Sequence, residues 1–163
     1  MAFMSTGTYT WHPEPELAAS TPIDLSYDYE AINWLLDHVS GTPVVAEALA
    51  GYYREGGLRV ASFTGFPTLL GFHQEGEQRY GWQTGPRRSK AEEFWNTPDP
   101  TVALRVIDEL GIEYIYVGQL ENILYPAEGL AKFSAMVETG DLEEVFRNER
   151  VVIYRAMREP VPG

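Results

Sequence analysis

Between Val60 and Gln83, in VASFTGFPTLLGFHQEGEQRYGWQ, titratable and phosphate-binding side chains crowd against apolar ones. Arg79 is a planar fork donor of the kind that binds carboxylate or phosphate through two parallel hydrogen bonds and stacks on rings. Gln78 precedes it, and Tyr80 and Trp82 follow. With Arg87, Arg88 and Lys90 a few residues on, it forms a cationic cluster in an acidic chain. That cluster suits a phosphate or pyrophosphate group. The competing reading pairs the same arginines with Glu92, Glu93 and other acids.

His73, Glu75 and Glu77 alternate, so they share one face of a strand, and His73 and Glu77 share one face of a helix. Either geometry could hold zinc or manganese, but no third or fourth ligand stands nearby. A polar turn is the expected reading, and no metal or other cofactor is expected in this domain. The rings of Tyr52, Tyr53, Phe63, Phe66, Phe72, Tyr80 and Trp82 could stack on a sugar, although Phe63 and Phe72 are expected in the core. No nucleophile elbow accompanies Ser62 or Thr64, and no glycine run has phosphate-loop spacing. The sequence therefore points to binding, with no catalytic residue assigned.

The elements that must position these residues follow from periodicity. Asp28 or Ser26 can cap a helix over Tyr29–Val39, with Ala31, Ile32, Leu35, Leu36 and Val39 on one face. PVVAEAL, Pro43–Leu49, reads as a buried strand, residues 50–57 as a loop, and Leu58–Phe63 as a second strand. A short helix is expected over Pro86–Trp95. Asp99 as cap, Pro100 at the first helical position and Gly111 as stop define another helix. IEYIYVG, Ile112–Gly118, is a strand, and residues 119–130 read as a loop. Gly129–Val137 suggests a short amphipathic helix. Leu142–Arg147 and Val151–Met157 form a β-hairpin turning at Asn148-Glu149-Arg150. The expectation is one α/β domain over residues 26–158: a mixed sheet of about four to five strands with helices packed on it and a C-terminal hairpin. Residues 1–25 read as a surface lead-in, and 159–163 as a frayed tail.

Composition bounds the function. A chain of 163 residues with 12 Lys and Arg against 24 Asp and Glu carries a net charge of −12. Nucleic acid is an unsuitable partner, because little would neutralise its phosphates. No cysteine is present, which excludes disulfides and thiolate metal sites. The first Lys or Arg is Arg54. A flank without basic residues is what the positive-inside rule tolerates on the non-cytoplasmic side of a membrane.

Several blocks together resemble a known family. They are DYEAINWL at Asp28–Leu35, PVVAEA at Pro43–Ala48, TGFPTLLGFHQEGEQR at Thr64–Arg79 and TPDP at Thr97–Pro100. GIEYIYVGQLEN at Gly111–Asn122, LAKF at Leu130–Phe133 and VVIYRA at Val151–Ala156 complete the set. The combination resembles the C-terminal region of the "YYY" family of polytopic bacterial and archaeal membrane proteins, grouped with the GT-C glycosyltransferases. The resemblance implies an extracytoplasmic accessory domain of a membrane glycosyltransferase-like protein. It would face a polyprenyl-phosphate sugar or a glycan acceptor, beside its own transmembrane region, with residues 1–25 following a membrane span. It implies that the isolated domain is not an enzyme alone, while the full-length protein acts as a glycosyltransferase and can use a divalent cation. The family's His … Glu-Gln-Arg signature falls on His73, Glu77, Gln78 and Arg79. Where the family often has Glu-Arg after the central strand, this chain has Glu121-Asn122. A non-catalytic glycan- or protein-binding scaffold module is the alternative.

Overall fold

A computed structural model describes residues 8–11, 21–49, 59–69 and 81–157. Its centre is β4, Ile112–Val117, in a four-stranded sheet. β3 (Val44–Ala46) pairs with β4 in parallel, β6 (Val152–Ala156) pairs with β4 antiparallel, and β5 (Leu142–Arg147) pairs antiparallel with β6. The order is β3-β4-β6-β5, a single mixed α/β domain ending in a strand pair, as the sequence predicts. A separate two-stranded ribbon joins β1 (Thr8–Trp11) to β2 (Thr21–Asp24), inside the segment expected to be a surface lead-in.

Strand β4 sends alternate residues to opposite faces. Ile115 and Val117 join one core with Phe94, Trp95, Ile107, Phe133 and Met136. Those come from α3 (Gly81–Asn96), α4 (Pro100–Leu110) and α6 (Ala127–Glu138). Tyr116 joins the other core with Ala31, Ile32 and Leu35 of α1 (Leu25–His38) and Val60 of α2 (Arg59–Thr64). Helices on both faces bury the sheet, which explains why IEYIYV reads as an almost unbroken apolar run.

Helix α4 forms as its punctuation dictates. The Asp99 carboxylate accepts from the Thr101 N–H at 2.9 Å, Pro100 opens the helix, and Gly111 closes it at a φ of 69°.

Three expectations are corrected. The cap of α1 is Asp24, whose carboxylate accepts from the Ser26 N–H at 3.0 Å. Asp28 lies one turn in, wholly buried, and does other work. Residues 59–63, from the strand expected over Leu58–Phe63, are helical, in a helix that runs on to Thr64. The expected loop over 119–130 holds α5 (Gln119–Leu124) and the start of α6.

Candidate functional site

Where the chain enters the polar stretch, four side chains meet in the core: Asp28 of α1, Glu47 just after β3, Arg59 at the start of α2 and Glu121 of α5. Asp28, Glu47 and Glu121 are wholly buried and Arg59 is 7% exposed. Arg59 Nε donates to Asp28 Oδ1 at 3.0 Å, and Nη2 donates to Glu121 Oε1 at 2.7 Å. Its guanidinium lies 5.0 Å from the ring centroid of Tyr116, whose hydroxyl donates to the same Asp28 oxygen. Burial alone would lower the Arg59 pKa; Glu121 and Asp28 outweigh that and hold it firmly ionised. Burial and the Asp28 charge push the Tyr116 phenol well up, so it remains a donor.

Glu121 also accepts from the backbone N–H groups of Gly118 and Ala48, both at 2.8 Å. It thereby caps α5 and ties it to the end of β3. Gly118 keeps this junction tight: a Cβ there would stand 3.0 Å from Arg59 Nη2 and 3.0 Å from the Tyr116 ring, so those side chains would have to give by a few tenths of an ångström. Glu47 accepts from the N–H groups of Val60 at 3.1 Å and Ala61 at 2.8 Å. Burial lifts the Glu47 carboxyl to about pH 7, against the opposing pull of Arg59 and the Ala61 N–H.

This cluster fixes α2, and α2 fixes the way into the polar stretch. Gly65 leaves the helix at a φ of 75°, with its N–H bonded to the Ala61 carbonyl at 2.9 Å. Val45 N–H of β3 donates to the Pro67 carbonyl at 2.9 Å, and Phe66 and Leu69 are buried. On the return side, Arg87 Nε of α3 donates to the Leu69 carbonyl at 2.5 Å. The chain just before residues 70–80 is therefore tied both to β3 and to the helix that follows them.

His73, Glu77, Gln78, Arg79 and Tyr80 lie outside the described residues, as do Tyr52, Tyr53, Phe72 and Glu75. Trp82 falls in the first turn of α3. Arg88 lies on the exposed side of α3 with its Nε 3.0 Å from Glu92 Oε1. An exposed pair of this kind is worth at most about 1 kcal/mol. Lys90 pairs with Glu109 at 2.9 Å, and Glu93 with Arg105 at 2.8 Å. Phe63 and Phe66 both pack in the α1–α2 core.

The buried cluster went unrecognised in the sequence. A signal exists: Glu47 interrupts the apolar run PVVAEAL, and Arg59 sits between Leu58 and Val60. A charge inside a buried strand or helix face calls for a partner, but its identity depends on contacts 31 and 62 residues away. Among the described residues no group of three or more His, Cys, Asp or Glu could hold a metal ion. None of the described helices is long and apolar enough to cross a membrane.

No protein-family model matches the chain, and no curated protein sequence does. Among solved structures, it is similar to the C-terminal globular domain of an oligosaccharyltransferase from Archaeoglobus fulgidus. The identity is 12%, the TM-score is 0.47, and the match covers 79% of this chain and 96% of that one.

Proposed function

We propose that this chain is a substrate-facing accessory domain of a polytopic, GT-C-type membrane protein of the "YYY" kind, placed on the extracytoplasmic side. Residues 70–80 form its ligand-facing segment, binding the phosphate of a polyprenyl-phosphate sugar. Arg79 and Gln78 supply phosphate donors, His73 and Glu77 complete the polar set, Tyr80 and Trp82 supply rings, and Arg88 adds charge from the neighbouring helix. Chemistry itself is left to the membrane-embedded part.

One observation carries the reading. The residues next to the segment 70–80 are placed by two hydrogen bonds, Val45 of β3 to the Pro67 carbonyl and Arg87 of α3 to the Leu69 carbonyl, so the chain before the segment and the helix after it are tied to each other. The quoted sequence blocks and the basic-residue-free stretch before Arg54 support the membrane setting.

The test is co-flotation of the chain with neutral vesicles doped with a polyprenyl phosphate. Control vesicles carry polyprenol, or an anionic phospholipid at matched charge. The expected result is retention on the polyprenyl-phosphate vesicles alone, reduced at least tenfold by Arg79→Ala. Equal retention on all three, or none on the first, overturns the proposal.

A further inference from the structure

The buried cluster does not balance its charge. Asp28, Glu47 and Glu121 are all wholly buried, and one guanidinium, Arg59, serves them. Among the described residues, Arg59 makes ion pairs with Asp28 and Glu121, while Glu47 has no cation at ion-pair distance. Its two oxygens meet only the backbone N–H groups of Val60 and Ala61. A second irregularity lies alongside: Asp28 Oδ2 is buried without a hydrogen-bond partner. With every carboxyl ionised, the cluster would hold a formal excess of two negative charges away from water.

Among the described residues no three carboxyl or imidazole groups converge on one point as metal ligands would. A proton needs no such convergence. Among the described residues, the charged groups that act on Glu47 are Arg59 from α2 and Glu121 from α5; Asp28 from α1 and Tyr116 from β4 join the cluster through Arg59. Of these, Arg59 remains a cation and Tyr116 a neutral phenol, so neither relieves Glu47 by titrating.

We propose that Glu47 is a proton-binding site: a proton on its carboxyl group supplies the positive charge that Arg59 cannot, and losing it leaves a bare buried charge that favours opening of the β3–α2 junction to water. The proton is released to solvent water, and no other covalent bond changes. The linkage follows from where each state keeps the proton. Closed, Glu47 titrates at about 7; opened to water, it returns to its ordinary 4.5. The closed form therefore holds more protons between those values, and raising the pH through that window favours opening. Protonation latches the junction of β3 and α2; deprotonation releases it. The latch stands independently of the lipid-phosphate reading, since both of its readouts are made without ligand.

The experiment is carboxyl carbon NMR of the intact chain as a function of pH, with amide hydrogen exchange read at Val60 and Ala61. The Glu47 resonance is expected to titrate near neutrality, apart from the exposed acids. Exchange at Val60 and Ala61, corrected for intrinsic rate, should accelerate by up to about tenfold per pH unit between pH 5 and 7. Glu47→Gln should remove that pH dependence. Titration of Glu47 below pH 5 alongside the surface carboxylates overturns the proposal, and so does pH-independent exchange at both amides in the unmodified chain. The direct titration keeps the test decisive even if the variant fails to fold.

Discussion

Lys132 of α6 is 3% exposed, and its Nζ lies 4.2 Å from the Phe133 ring centroid and 5.3 Å from that of Phe94. It donates to the Gly129 carbonyl at 2.5 Å and makes no carboxylate ion pair among the described residues. Burial pulls its pKa down to about 7 from 10.5. The folded state therefore binds fewer protons than the unfolded chain between those values, and stability rises with pH across that window. Below about pH 7 the destabilising effect of the lysine is fully present. Lys132→Met keeps the volume and the ring contacts without the ammonium, and should stabilise the fold by on the order of 2 kcal/mol at pH 6. Thermal unfolding at pH 6 and pH 10 checks this, and the gain should shrink at the higher pH. Arg59, equally buried, differs because two carboxylates hold it. Both cases were hard to read in the sequence for one reason: LAKF and LRVASF show a cation among apolar residues, and only tertiary contacts show what answers it.

Among the elements, those marked by local chemistry were legible and those decided at a distance were not. Asp99, Pro100 and Gly111 specify α4 within its own sequence, and the alternation in IEYIYV specifies β4. By contrast, Leu58–Phe63 puts Val60 and Phe63 where a strand or a helix could use them. Helix α2 wins because Arg59 must reach Asp28 and Glu121 while the Val60 and Ala61 N–H groups meet Glu47. Helix α5 is six residues long, too short for a periodic stripe, although Glu121 folding back onto the Gly118 N–H is a start signal. At the α3–α6 crossing, Gly129 lets α6 approach the end of α3: a Cβ there would stand 2.4 Å from the Trp95 carbonyl oxygen. Gly129→Ala must push the two helices apart, displacing Lys132 and the Trp95–Phe133 contact. It should cost about 1–3 kcal/mol, read as a fall in the urea midpoint with an unchanged slope.

Across the whole molecule, two apolar cores on either side of one sheet provide stability, and the ionic cluster provides register. Buried ion pairs contribute little net stability compared with apolar packing, but removing one partner is severe because a bare charge remains. Their value here is positional: one guanidinium ties α1, α2 and α5 together beside the end of β3. Beside it, Val45 of β3 holds Pro67 and Arg87 of α3 holds Leu69, next to the segment in which the sequence places His73, Glu77, Gln78 and Arg79. The fold class was legible because alternation and capping act locally. The frame was not, because it is assembled from residues between 13 and 88 positions apart. The central claim, that residues 70–80 bind a lipid phosphate, is tested most directly by amide chemical-shift mapping of the chain titrated with farnesyl phosphate. Saturable shifts centred on His73, Glu77, Gln78 and Arg79, absent with farnesol, are the predicted result. Shifts that do not saturate, or that saturate while leaving those four residues unmoved, would contradict it.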